Sequence, residues 1–299
     1  MMATMDSLKG MGVAIVTPFQ QDGKVDFPAL QRLVEHMVAG GVDFLVVLGT
    51  TGETPTLSEE EQRRVLDFVL EVNGGRLPVV VGITGNNTVQ LCAKLRGWDW
   101  TGLSACLVAA PAYNKPSQQG LLAHYEQVAD SAGCPVILYN VPGRTGCNLT
   151  AATTLTLSNH ENICGIKEAS GDMVQIGEIL QGRPDGFMVW SGDDALAMPT
   201  VAMGADGVIS VLGNALPRKM ADMIHQVVFG QVHEARATHM TLLPLIDLLF
   251  QEGNPVGIKL VLNHLGLCQK NVRLPLVAGS AELRDKIYGA LAALDVQTI

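Results

Sequence analysis

Eight short, continuously apolar runs recur along the chain, each followed by a longer stretch in which apolar residues return every three or four positions. The runs are "GVAIVTPF", "DFLVVLGT", "PVVVGIT", "ACLVAAP", "PVILYNV", "ICGIKEA", "FMVWSG" and "GVISVLGN". A strand with one face in water alternates apolar and polar residues, so continuous apolar character predicts strands covered on both faces. The intervening stretches read as amphipathic helices. In "SEEEQRRVLDFVLEVN", Ser58 and Glu61 form a capping box, Val65, Leu66, Val69, Leu70 and Val72 mark one stripe, and "NGG" ends it. Eight such units predict an α/β fold of the (β/α)8 TIM-barrel type over residues 1–230. A doubly wound sheet normally has fewer strands and carries a phosphate-binding fingerprint; neither GxGxxG nor GxxxxGK[ST] occurs. Residues 231–299 show helical patterns without strands between them and are expected to form a C-terminal helical appendage.

Composition narrows the function. Hydrophobic residues make up 47% and charged residues 16%, which predicts much surface hidden in the fold or against other subunits. The net charge of -9, without a lysine and arginine cluster, argues against nucleic acid and against anionic membranes. The opening "MMATMDSLKG" lacks the pattern of a signal peptide, and no uncharged run reaches the ~18 residues of a membrane span, so a cytoplasmic location is expected. Six scattered cysteines without a CxxC read as reduced core thiols, and seven dispersed histidines form no HxxxH or HxH pair, so no metal site is expected.

Barrel enzymes place their chemistry at the C-terminal ends of the strands. Run two ends in "GTTGE", where Thr50 and Thr51 lie between glycines in a turn suited to holding a carboxylate. Run four leads to Tyr113 in "PAYNKP", and run five places Tyr139 near its end with Arg144 in the loop beyond. A tyrosine passes protons and an arginine grips a carboxylate. Taken singly, each has an ordinary explanation as a turn, a core edge or a surface charge. Run seven ends in "SGDD", where Asp193 or Asp194 is expected to cap a helix.

Run six is the informative one. Lys167 in "GIKEA" alone, of nine lysines, sits inside a strand-like run. Pairing with Glu168 is poor, because neighbours in a strand point to opposite faces. A lysine taken out of water finds a carboxylate, reaches out along its stem or loses its proton, and the last outcome gives a free amine that condenses with carbonyls.

"GTTGE", "YNVPGRT", "GIKEAS", "SGDD", "DGVISVLGN", "EGNPVGIKLVLNHLG" and "VRLPLV" occur in this order over essentially the whole chain. Together they resemble the dihydrodipicolinate synthase family of the pyruvate-dependent class I aldolases. The resemblance implies that Lys167 forms a Schiff base with pyruvate and that Thr50 and Thr51 hold its carboxylate. Thr51, Tyr139 and Tyr113 would form a proton relay, with Tyr113 reaching into a partner subunit's site. Arg144 would bind the carboxylate of L-aspartate semialdehyde, and Gly192 and Ile209 would line the pyruvate pocket through their backbones. The resemblance further implies a homotetramer, a dimer of tight dimers, and a reaction that needs no cofactor. N-acetylneuraminate lyase and keto-deoxy-sugar aldolases share the lysine and the tyrosine; Arg144 in "VPGRT" favours the synthase. A non-catalytic barrel is the remaining alternative.

Feedback-inhibited members of that family bind lysine through histidines after the "GTTGE" turn, a glutamate in the third unit and a tyrosine before the relay tyrosine. The aligned positions here are Glu59 and Gln62, then Gln90, then Ala112, with Asn86 retained. The resemblance therefore implies weak or absent inhibition by lysine.

Overall fold

The computed structural model describes residues 5–294. Residues 1–4, part of the N-terminal stretch "MMATMDSLKG", and 295–299, the end of the expected helical region, lie outside them. The strands β1 (Gly10–Ala14), β2 (Phe44–Val47), β3 (Val79–Gly82), β4 (Ala105–Ala109), β5 (Val136–Asn140), β6 (Ile163–Glu168), β7 (Met188–Ser191) and β8 (Gly207–Ser210) are parallel and close into one barrel, β8 pairing with β1. The expected (β/α)8 barrel is therefore observed. The apolar runs overshoot the strands at their C-terminal ends. "TPF" after β1 and "LGN" after β8 leave the sheet, and their apolar residues Phe19 and Leu212 pack in the outer core between strands and helices.

Helices α1 (Phe27–Gly40), α2 (Glu59–Asn73), α3 (Thr88–Arg96), α4 (Gln118–Ser131), α5 (Pro142–Thr145), α6 (Ala151–Leu157), α7 (Met173–Gly182), α8 (Ala197–Ala202) and α9 (Pro217–Val228) follow the strands. The capping box of α2 is formed in both directions, Ser58 Oγ accepting from Glu61 N and Glu61 Oε2 from Ser58 N, and Gly74 ends the helix in the left-handed conformation. Val65, Leu66 and Val69 of its stripe are buried. After α9 come α10 (Val232–Phe250), α11 (Val256–His264) and α12 (Ala281–Ala293) with no strand between them. Their apolar faces join the same outer core that lies between strands and barrel helices, with Leu245, Leu249, Leu260 and Ile287 in contact with it.

The barrel interior is a second, separate core. Phe44, Val46, Val80, Leu107, Ile137, Met188, Trp190 and Ile209 fill it, and Leu8 lies at its base, accepting a hydrogen bond from Trp190 Nε1 at 2.7 Å. A register shift between β5 and β6 at Val136/Ile137 leaves Gly165 opposite Ile137 and Lys167 opposite Tyr139. Lys167 is also opposite Trp190 of β7. The three side chains thus point the same way, into the barrel at the mouth end of their strands. Among the described residues, no helix is long and apolar enough to cross a membrane.

Candidate active site

Lys167 is 5% exposed, and its Nζ lies 4.4 Å from the centroid of the Tyr139 ring. Among the described residues it has no carboxylate partner. Glu168 faces the opposite side of the sheet, as alternation requires. There it accepts from Asn140 Nδ2 at 3.0 Å, Gln175 Nε2 at 3.0 Å and Ser170 N at 2.7 Å, while burial pushes its carboxyl above the usual range. The lysine is left to the cavity.

That cavity, of ≈ 400 Å³, is lined by Thr50, Thr51, Tyr139, Arg144, Lys167 and Gly192, together with Asp193, Phe250 and Asn254. Gly192 is there for steric reasons. A Cβ on it would lie 2.6 Å from Ala169 Cβ and 3.0 Å from Lys167 Cε, so only glycine leaves room for the lysine stem. Thr50–Gly52 form a single 3-10 turn after β2. Leu48 and Glu53 flank it with φ of 60° and 53°, a conformation that costs an L-residue about 1–2 kcal/mol. Thr17 Oγ1 donates to Gly52 O at 2.7 Å and Thr54 Oγ1 to Gly49 O at 3.0 Å, holding the strained turn across the mouth.

Arg144 sits on α5, exposed at the rim, where it borders both this cavity and an adjoining one of ≈ 460 Å³. Ile209 lies in the inner core beneath the site and is not among the residues lining the cavity. Tyr113 is not in the cavity either. Its ring is 93% exposed on a loop held by Tyr113 N donating to Thr145 O at 3.1 Å, and its φ is 73°. Asp193 caps the 3-10 turn Asp194–Leu196 through Ala195 N, the capping role expected for this pair. Asp194 serves another purpose. Its buried Oδ2 accepts from Val211 N at 3.0 Å and Leu212 N at 2.7 Å, tying the loops after β7 and β8 together. Among the described residues no group of histidine, cysteine, aspartate and glutamate comes together to hold a metal ion.

Two side chains of the C-terminal region, not among the sequence candidates, hold the Thr50–Gly52 turn, and only Asn254 of the two lines the cavity. Asn254 Nδ2 donates to Thr51 Oγ1 at 2.9 Å. Lys259 of α11 is fully buried, with Nζ 2.5 Å from Glu53 Oε1 and 2.8 Å from Asn271 O, and lies 4.2 Å from the Phe19 ring centroid. Arg273 completes the brace, its N donating to Glu53 Oε2 at 2.9 Å and its guanidinium forming a two-pronged contact with Glu61 at 2.7 and 2.6 Å. The signal for Lys259 was present: "GIKLV" interrupts an apolar run just as "GIKEA" does.

Comparison with known proteins agrees with this geometry. A 4-hydroxy-tetrahydrodipicolinate synthase of Azobacteroides pseudotrichonymphae is 47% identical over 97% of this chain and 98% of its own. The crystal structure of dihydrodipicolinate synthase from Aquifex aeolicus superposes with a TM-score of 0.93 at 39% identity, over 97% of this chain and 99% of that one. The chloride-inhibited dihydrodipicolinate synthase from Acinetobacter baumannii, solved in complex with pyruvate, superposes at 0.94 with 36% identity, over 97% and 99% of the two chains. A model of the Dihydrodipicolinate synthetase family matches residues 7–294, and the chain belongs to that family.

Proposed function

We propose that this chain condenses pyruvate with L-aspartate 4-semialdehyde to give 4-hydroxy-tetrahydrodipicolinate, the first committed step of lysine and diaminopimelate biosynthesis, through a Schiff base on Lys167. The observation that carries the reading is an almost fully buried amine, without an anionic partner among the described residues, opening on a cavity lined by hydroxyls and one arginine. Only the unprotonated amine attacks a ketone, and the nearby Tyr139 is the group placed to exchange protons with it. The iminium formed with pyruvate draws electrons from the neighbouring bond, so a methyl proton leaves and an enamine results. The enamine carbon attacks the aldehyde, and release of the adduct by transimination or hydrolysis frees Lys167.

Each neighbour has a part in this reading. The first amides of a 3-10 turn have no partner within it, and those of Thr50 and Thr51 are available to the pyruvate carboxylate. Tyr139, against the Lys167 amine, moves protons at each stage. Arg144 at the rim receives the carboxylate of the second substrate. Sugar-type substrates of the related lyases have no need of that grip, which favours the semialdehyde. Gly192 bounds the pyruvate end beside the Lys167 stem, and Ile209 lies in the inner core beneath the site.

Tyr113 belongs to a shared site. A left-handed backbone is held in place to present a ring that touches nothing within its own chain's cavity, an arrangement a second subunit would use. Exposed Val174 and Met203, on and beside neighbouring helices α7 and α8, offer a further apolar contact suited to a dimer of dimers. Six free thiols fit a cytoplasmic enzyme.

Borohydride with pyruvate should add a pyruvate-derived mass to the peptide carrying Lys167, and a coupled assay should show turnover with aspartate semialdehyde but not with N-acetylneuraminate or keto-deoxy-gluconate. A label on another lysine, or preference for a sugar acid, would sink the reading.

A further inference from the structure

β5 and β6 meet in two registers, and only the upper one assembles the site. Below the shift Val136 pairs with Ile163; above it Ile137 pairs with Gly165, which leaves Cys164 as the extra residue of a bulge. Continued without the shift, the lower pairing would set Ile166 opposite Tyr139 and Lys167 opposite Asn140. A slip of one residue turns every side chain of a strand to the other face, and Lys167 would leave the barrel interior. Something above the bulge has to select the observed register.

A buried polar pair on the outer face of the sheet does so. Tyr139 pairs with Lys167 and Asn140 with Glu168, and alternation sends the first pair inward and the second outward. Asn140 and Glu168 are 0% and 1% exposed. Asn140 Nδ2 donates to both carboxylate oxygens of Glu168, at 3.1 and 3.0 Å, while its Oδ1 accepts from Leu149 N at 2.9 Å. With Gln175 Nε2 and Ser170 N, three donors surround the carboxylate, and among the described residues none is a cation. A buried carboxylate is tolerable only where such donors are gathered, and the slipped register would turn it away from the Asn140 amide. Gly165 permits the close approach that the observed register demands, since a Cβ there would lie 2.4 Å from Met188 O.

We infer that the Asn140–Glu168 pair is a register lock, and that both are positioning residues whose contact on the outer face sets Tyr139 against Lys167 Nζ on the inner one. The inference rests on the imine chemistry proposed above. Neither side chain is among those lining the cavity. Their effect passes along the backbone, from Asn140 to Tyr139 and from Glu168 to Lys167.

The test exchanges donor and acceptor. In Glu168→Gln the three partners still donate, so the new NH2 group meets a donor. The rate of imine formation at saturating pyruvate, followed by quenched-flow borohydride trapping, should fall by about tenfold or more, because small misplacements weigh heavily on such a step. The half-saturating pyruvate concentration should stay within about twofold, and the final yield of imine should remain stoichiometric with chains, a split that partial unfolding does not produce. Asn140→Asp combined with Glu168→Gln again sets a donor against an acceptor and should recover most of the rate. In a Tyr139→Phe background Glu168→Gln should add little, because the group it positions is gone. Gln175→Met removes a donor that does not link β5 to β6; it should lower the melting temperature and leave the rate within about twofold. A wild-type rate in Glu168→Gln, an exchanged pair that stays slow or unfolded, additive losses with Tyr139→Phe, or a Gln175→Met protein slowed by about tenfold would overturn the inference while the Schiff-base reading stands. Where Glu168→Gln alone does not fold, the exchanged pair and Gln175→Met decide by the same criteria. Absence of trappable imine on Lys167 in the wild type would overturn both.

Discussion

Lys259 Nζ lies 2.5 Å from Glu53 Oε1 with both side chains closed off from water, and Glu53 is the residue directly after the Thr50–Gly52 turn. The pair joins a helix of the C-terminal region to the threonines at the barrel mouth. Burial lowers the Lys259 ammonium from its ordinary range, and Glu53 opposes that shift. Removing one partner strands the other charge in the interior, at a cost of about 3–5 kcal/mol. Lys259→Met should therefore lower the melting temperature by roughly 10 °C and reduce activity along with it. Glu53→Gln added to Lys259→Met should restore a large part of the stability, because the stranded carboxylate is gone. Calorimetry of the single and double variants checks this; a Lys259→Met protein as stable as wild type would refute it.

Gly192 leaves no room for a side chain beside the Lys167 stem. Gly192→Ala should displace the amine, and a misplacement approaching 1 Å costs on the order of 10²-fold in rate. Overpacking should cost only about 1–3 kcal/mol in stability. Stopped-flow measurement of imine formation, beside a melting curve, separates the two. Unchanged imine formation would mean that the stem has another route into the cavity.

Arg144→Ala should cut turnover of the semialdehyde by about tenfold or more, the worth of a two-pronged, charge-assisted contact. Trapping of pyruvate on Lys167 should persist, because Arg144 stands at the rim and Lys167 below it. Equal loss of both would assign Arg144 to the frame of the site.

Arg273 beside Glu61 holds that carboxyl down at about 2, from an ordinary 4.5. A depressed carboxyl stabilises the fold fully above its unfolded pKa and loses that contribution as pH falls through the folded value. With Glu61 27% exposed, the contribution is discounted for solvent screening to about 1–2 kcal/mol. The gap in melting temperature between wild type and Glu61→Gln should be constant from neutral pH down to ~5 and close between ~4.5 and ~2. A gap that does not change with pH would exclude this ion pair as its source.

Half-inhibition by L-lysine should require millimolar concentrations or not occur at all, the range left to a site without its charged partners. In the adjoining cavity Lys94 Nζ stands 3.3 Å from Gln62 Oε1, so an incoming ammonium meets a cation of like charge. The Asn86 amide is already engaged with the Ala112 backbone in both directions, at 2.9 and 3.1 Å. Titration calorimetry with free lysine would refute the expectation by showing micromolar binding.

The barrel was readable because continuous apolar runs have few uses other than strands covered on both faces, and Lys167 because an ammonium interrupts one of them. The strand ends were not readable. Residues such as Leu212 leave the sheet but stay apolar because they pack in the outer core against the helices. The lysine at 259 interrupts an apolar run as visibly as Lys167 does, but its pairing with Glu53, like that of Asn254 with Thr51, spans about two hundred positions, and no local period connects them. Tyr113 was legible only through resemblance, because an exposed tyrosine on a loop has neither an apolar period nor a buried charge to mark it.

The brace from Glu53 to Lys259 and Arg273 also has a consequence for the newborn chain. A ribosome delivers all eight strands and Lys167 once Ser210 has emerged, yet Asn254, Lys259 and Arg273 are still to be made. Translation of that remainder takes on the order of seconds, during which Glu53 has neither counter-charge and Thr51 no amide above it. The turn after β2 is thereby left unbraced until synthesis is nearly complete, and the last part of the message supplies the clasp that holds the first.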